Sequence, residues 1–150
     1  MKRLALLGLL LSLLSLSARA QMLKEKDVPA AVRAAATAQN NGQKPASWLL
    51  DEQRGYYVAI AAAPALRQLI IGQDGKWQRT SEIVALEKFP AAVRQDLQTR
   101  FLSKGYEPSN PLLVHTRTAG SYYSLDLSSD EAELQVHYSA AGKLLRQENR

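Results

Sequence analysis

At 150 residues, with 46% hydrophobic and 22% charged positions, the chain has the make-up of one globular domain, or of two small halves sharing a core. The absence of cysteine excludes a disulfide framework, a cysteine nucleophile, thiolate metal sites and a lipoprotein anchor built on cysteine. The formal charge of +5 reflects 19 Lys+Arg against 14 Asp+Glu, but the basic residues stand singly, with no basic run interleaved with aromatics, and this argues against a nucleic-acid partner.

Residues 1–20 read as a signal peptide. Lys2 and Arg3 form a positive start, and Leu4 to Leu16 form an apolar run broken only by Gly8, Ser12 and Ser15. Ala18-Arg19-Ala20 supplies small residues at the two positions a signal peptidase reads, which predicts cleavage before Gln21. The run is shorter than the roughly 20 residues a spanning helix requires. With Lys2, Arg3 and Arg19 gone, 16 of the 19 basic residues face 14 acidic ones, so part of the basic character belongs to the leader. The expected product is periplasmic or secreted, with no membrane insertion after cleavage.

A short pattern then recurs. Pro29-Ala30-Ala31-Val32-Arg33 reappears letter for letter as Pro90-Ala91-Ala92-Val93-Arg94, preceded by Val28 and by Phe89. Gly55-Tyr56-Tyr57-Val58 is echoed by Ser121-Tyr122-Tyr123-Ser124, and Gly75-Lys76 by Gly142-Lys143. Landmarks in the same order predict a duplication, with residues 21–84 and 85–150 as the two copies in one compact domain. Each copy opens with a helix, because proline is favoured near a first helical position. In the first, Asp27 is the expected cap, Val28, Val32, Ala35 and Ala36 share a face, and Asn40-Asn41-Gly42 ends the helix. In the second, Phe89, Val93, Leu97 and Phe101 form the buried stripe, Arg94, Gln95, Asp96 and Gln98 face water, and Gly105 closes the helix.

Alternating segments follow each helix. In the first copy strands are predicted at Ala46 to Leu50, Tyr56 to Ala61, Leu66 to Ile71 and Lys76 to Thr80, with Gly55, Pro64 and Asp74-Gly75 at the turns. The second copy offers Leu112 to Arg117, Tyr122 to Leu127, Glu133 to Tyr138 and Leu144 to Gln147. Connections this short cannot make parallel crossovers, so successive strands should be antiparallel neighbours. The expected fold class is α+β: two tandem repeats, each a helix followed by about four antiparallel strands, with the helices on one face of the sheet. Trp48 and Trp77 are expected to be partly buried strand residues.

The apolar-Pro-x-x-Val helix start, the Tyr-rich second strand and the Gly-Lys hairpin before a last strand resemble the PepSY-like repeat of exported bacterial domains. That family's fold is similar to β-lactamase inhibitory protein. The resemblance spans residues 24 to 148. It departs at Gly72 and Ser139, where the family often has aspartate three residues before the hairpin glycine. The resemblance implies a binding or inhibitory module with a protein partner, and it offers no catalytic residue.

The face opposite the helix is the candidate site. Alternation in the second copy predicts Tyr123, Leu125, Leu127, Leu134, Val136, Tyr138, Leu112 and Val114 inward. His115, Arg117, Tyr122, Asp126, Gln135 and His137 are then displayed together on the open face. Such a surface is a solvated sheet face, a recognition surface for another protein, or a metal or catalytic site using His115, His137 and Asp126. In the first copy two registers are open. Either Tyr56, Val58 and Ile60 form an apolar stripe on the open face, or a one-residue shift puts this bulkier set in the core. Tyr56 joins the candidate face in the first case. No cofactor fingerprint, nucleophile elbow or zinc-protease helix is present. The expected function is a non-enzymatic exported binding module, with an envelope or secreted hydrolase or peptidase as the target class to test first; a small-ligand or metal binder, and then a small hydrolase or isomerase, are the alternatives.

Overall fold

A computed structural model describes residues 20–63 and 65–150, so the predicted leader up to residue 19 and the predicted turn at Pro64 lie outside the described residues. Among the described residues, nine strands form a single sheet whose neighbours follow chain order. They are β1 (Ala20–Leu23), β2 (Ser47–Asp51), β3 (Tyr56–Ala61), β4 (Arg67–Gly72), β5 (Trp77–Ile83), β6 (Glu107–Thr116), β7 (Gly120–Ser128), β8 (Glu133–Tyr138) and β9 (Leu144–Asn149). The α-helical residues are confined to α1 (Ala30–Gln39) and α2 (Ala91–Arg100) among the described residues. The chain divides into two compact units, one ending at Arg79 and the other running from Thr80 to Arg150.

This corrects the expected architecture of two repeats, each a helix and four strands. The sheet is continuous and nine-stranded, and it opens with β1, which precedes the first helix and pairs with β2. The strands that follow the helices are also unequal: β2 has five residues, whereas β6 has ten and carries a bulge between Ser109 and Leu112. The matching pentapeptides have a local explanation instead. In each, the proline is the residue just before the helix, the valine is fully buried, and the arginine turns back to a carbonyl ahead of the proline. Arg33 donates to Val28 O at 3.0 Å and to Glu25 O at 3.1 Å, and Arg94 donates to Phe89 O at 3.1 Å. Among the described residues no side chain caps either helix, and Asp27 ends a 3-10 turn (Glu25–Asp27) rather than capping α1.

In the first unit, α1 packs Val32 and Ala36 against Trp48, Ala59, Ala61, Leu69 and Ile71. Trp48 lies opposite Ala59 across the β2–β3 pair. The small alanines on α1 and β3 leave the volume that the indole fills, and Trp48 is only 3% exposed. The helix side of β3 is therefore Tyr57, Ala59 and Ala61, and the shifted register with Tyr56, Val58 and Ile60 in this core is excluded. Asn40 ends α1 with its side-chain amide donating to Gln43 O at 3.0 Å, and Asn41 and Gly42 adopt positive φ. Trp77 is half-buried at the start of β5.

In the second unit, Phe89, Val93, Leu97 and Phe101 meet Leu125, Leu127, Leu134, Val136 and Tyr138 in one cluster. A 3-10 turn (Leu102–Lys104) follows α2 and closes on Gly105, whose φ of 89° is left-handed. Asp96, expected to face water, instead ties helix to sheet. It accepts from the buried Tyr138 hydroxyl at 2.8 Å and from Arg100 Nε at 2.8 Å. Partial burial pushes the Asp96 carboxyl upward, but the Arg100 and Tyr138 hydrogen bonds outweigh it and hold the group below the usual carboxylate range. Burial, reinforced by the bond to Asp96, raises the Tyr138 hydroxyl well above the usual phenol range.

The pair therefore confers opposite pH dependences. A carboxyl whose folded pKa is depressed adds stability that is present above its unfolded value of about 3.9 and is lost as pH falls through the folded one. A phenol whose folded pKa is raised adds stability that is complete below about 10 and is lost as pH rises. Urea midpoints measured from pH 2 to 11 should fall at both ends. Asp96→Asn should flatten the acid limb and Tyr138→Phe the alkaline limb, with no change in these limbs counting against the assignment.

Candidate functional site

The β7–β8 register sets the face opposite α2 in the second unit. Ser124 lies opposite His137 and Asp126 opposite Gln135, so these four share a side with Tyr122, while Tyr123, Leu125 and Leu127 line the helix side. The β6–β7 register places Leu112 opposite Ser124 and Val114 opposite Tyr122, which adds both to the same face. From β9, Arg146 lies opposite His137 and Glu148 opposite Gln135. Four of the expected residues, Tyr122, Asp126, Gln135 and His137, are thus brought together.

Two are not. His115 lies opposite Ser121, on the side of Tyr123 and Leu125, with its Nδ1 2.6 Å from Ser121 Oγ. Arg117 is exposed in the turn between β6 and β7. The inward assignment of Leu112 and Val114 is reversed by the same register. Three successive apolar residues, Leu112 to Val114, carry no alternation, and the bulge next to Asn110, whose φ is 49°, decides the phase. His115 and His137 consequently point to opposite sides of the sheet, which removes the geometry of a metal site shared between them. Tyr56 lies in the first unit, opposite Asp51 and Gly72, on the side away from α1 and 37% exposed.

The face has two chemical parts. The Tyr122 and His137 rings stack with centroids 4.8 Å apart and planes inclined by 30°. Beside them Asp126 organises a polar network. It accepts from Asn110 Nδ2 at 2.8 Å and Gln135 Nε2 at 3.2 Å, and pairs with Arg150 Nη1 at 3.1 Å. Arg146 donates to Glu148 alongside. The floor is closed, since Val114 and Ser124 are each only 3% exposed. The first unit shows the same feature opposite its helix: Leu49, Val58 and Ile70, cross-strand neighbours outside the helix-packed core, are buried. Neither face is bare along its middle, contrary to expectation.

Sequence reading missed Asn110, Arg146, Glu148 and Arg150. For Asn110 the available signal was Asn110-Pro111 itself, because an Asn-Pro step just before the apolar run from Leu112 marks a break in regular pairing. No group of three or more His, Asp or Glu side chains converges on a common point among the described residues. A polar cleft of about 750 Å³ runs between Lys104–Glu107 and Ser128–Glu131, and none of the candidate residues lines it.

Three solved structures share the fold of this chain. A candidate periplasmic protein from Bacteroides eggerthii aligns with a TM-score of 0.69 and 19% identity, over 81% of this chain and 88% of that one. A DUF2874 family protein from Bacteroides ovatus gives 0.70 and 19%, over 81% and 86%. A BLIP-like protein from Bacteroides fragilis gives 0.69 and 14%, over 81% and 85%. The chain has a BLIP-like fold. At these identities the likeness is one of fold alone. No family model and no curated protein matches the chain. No helix among the described residues is long and apolar enough to cross a membrane. Within the BLIP-like fold, the stacked pair and the Asp126 network occupy the sheet face away from α2.

Proposed function

We propose that this protein is a non-enzymatic, periplasmic binding module that recognises another protein through the face carrying Tyr122, Asp126, Gln135 and His137. The observation that supports this most is the stacked Tyr122–His137 pair beside an Asp126 carboxylate held by Asn110, Gln135 and Arg150. Two rigid rings offer contact area at low entropic cost, and the fixed carboxylate network gives polar handles around them. The candidate periplasmic and BLIP-like descriptions of the structural neighbours, the leader-like residues 1–20 and the PepSY-like resemblance all point the same way. A folded envelope hydrolase or peptidase is the target class that the resemblance favours.

The test pairs two variants that differ in the face they touch. The mature chain is used to capture partners from envelope and culture fractions, and the captured protein is purified and titrated. Tyr122→Ala with His137→Ala should weaken binding at least about 30-fold, the scale of a hot spot worth about 2 kcal/mol. His115→Ala, on the other side of the sheet, should leave affinity unchanged. Equal affinity of wild type and the double variant, with folding intact, would remove this face from the reading.

A further inference from the structure

We propose that removal of the leader completes an ion pair within the first unit, between the new α-ammonium of Gln21 and the buried carboxylate of Asp51. The juxtaposition comes from the β1–β2 register, in which Ala20 lies opposite Asp51 and Gln21 opposite Leu50. The nitrogen that joins Ala20 to Gln21 is thus next to the cross-strand position of Asp51. Hydrolysis of that peptide bond gives Ala20 a carboxylate and Gln21 an amine. The amine is mostly protonated at neutral pH, since an α-amino group titrates at about 7.7–8.0. Water is the only co-reactant.

Asp51 is prepared for such a donor. Its side chain is 4% exposed. Oδ1 accepts the Arg54 amide at 3.1 Å, but Oδ2 makes no hydrogen bond among the described residues. The nearby cation is Arg54 Nη1 at 3.9 Å, too far for a hydrogen bond to Oδ2 and itself largely exposed. A buried carboxylate oxygen lacking a donor is costly, because it has given up water without a replacement. An ammonium carries three donors and is free to turn once Ala20 is gone. The intact chain has only an amide at this place, with one N–H and no charge. Cleavage therefore gives the mature chain a stabilising contact that the precursor lacks. The contact anchors what remains of β1, Gln21 to Leu23, at the edge of the sheet, where a positive charge also discourages edge-to-edge association.

This inference stands apart from the recognition reading and is tested separately. Three forms of the chain are prepared: one beginning at Gln21 with a free amine, one beginning at Ala20, and one acetylated at Gln21. Each is made with Asp51 and with Asp51→Asn, and intact mass confirms that Gln21 has not cyclised with loss of ammonia. The free Gln21 form should melt about 3–6 °C above the other two, and the gap should vanish with Asp51→Asn. The absence of a gap, or a gap that Asp51→Asn leaves intact, overturns the proposal. If Asp51→Asn does not fold, the ¹⁵N-labelled α-amine of the folded free Gln21 form decides. Titration above the ordinary α-amino range supports the pair, and an ordinary value overturns it. Amino-terminal sequencing of the exported protein that shows a first residue other than Gln21 also overturns it.

Discussion

Gly142→Ala should destabilise the protein by about 3 kcal/mol, combining roughly 1 kcal/mol for a left-handed φ with about 2 kcal/mol of overpacking. Gly142 has a φ of 84°, and a Cβ placed there would lie 2.7 Å from Ala92 Cβ, 2.9 Å from Ala92 C and 3.1 Å from Ala92 O. Two of those atoms are helix backbone, which cannot rotate away as a side-chain end can. The other positive-φ glycines supply controls inside the same molecule. Gly105 and Gly120, with φ of 89° and 76°, have nothing within 4 Å of an added Cβ, so alanine there should cost only the conformational part, about 1 kcal/mol. Gly75 meets Ala31 Cβ at 2.9 Å but its backbone only at 3.3 Å, and should fall between. Urea denaturation of the four variants checks the order, and equal costs at Gly142 and Gly120 would show that α2 does not approach the hairpin this closely. Adding Ala92→Gly to Gly142→Ala should recover part of the loss.

Trp48→Ala should cost about 3–5 kcal/mol, the range for removing a large aromatic side chain from a core. Trp48 is buried among Val32, Ala36, Ala59, Ala61 and Leu69. Three of these neighbours are alanines, which have no longer side chain to swing into the space vacated by the indole. The cavity therefore stays open, and the cost should sit at the upper end. Trp77→Ala should cost much less, because Trp77 is only half-buried. Ala59→Leu, directed at the indole across the strand pair, should also destabilise, by about 1–3 kcal/mol. Denaturation followed by circular dichroism compares the three, and similar costs for both tryptophan variants would place the wrong tryptophan under α1.

Both predictions concern contacts that no local pattern in the sequence specifies. The two helices, their buried valines and the turn at Asn40–Gly42 were legible because proline, apolar spacing and Asn-Gly chemistry act over a few residues. The strands β2–β5 and β7–β9 were legible in outline for the same reason. The strand β1 was not, because Gln21 to Leu23 is too short to alternate and falls at the predicted start of the mature chain. The repeated landmarks suggested copied helix-and-strand units, whereas the matching contacts at Arg33 and Arg94, and at Gly75 and Gly142, are local solutions within one nine-stranded sheet.

The candidate site divides along the same line. Tyr122, Asp126, Gln135 and His137 were legible because β7 and β8 alternate cleanly, and strict alternation assigns a side. His115 falls on the side opposite to the expected one because Leu112, Leu113 and Val114 are all apolar, so the phase of β6 is undetermined by its own residues. The sequence by itself determined the two helices, the strands β2–β5 and β7–β9 in outline, the turn at Asn40–Gly42, and the grouping of four residues on adjacent alternating strands. Only the tertiary structure decided the phase of β6, the register of β3, the closed floor at Val114 and Ser124, and the pairing of β1 with β2. A side-chain period of two makes the face of a strand depend on one bulged residue and on its neighbour's register, and both are settled by packing between distant segments.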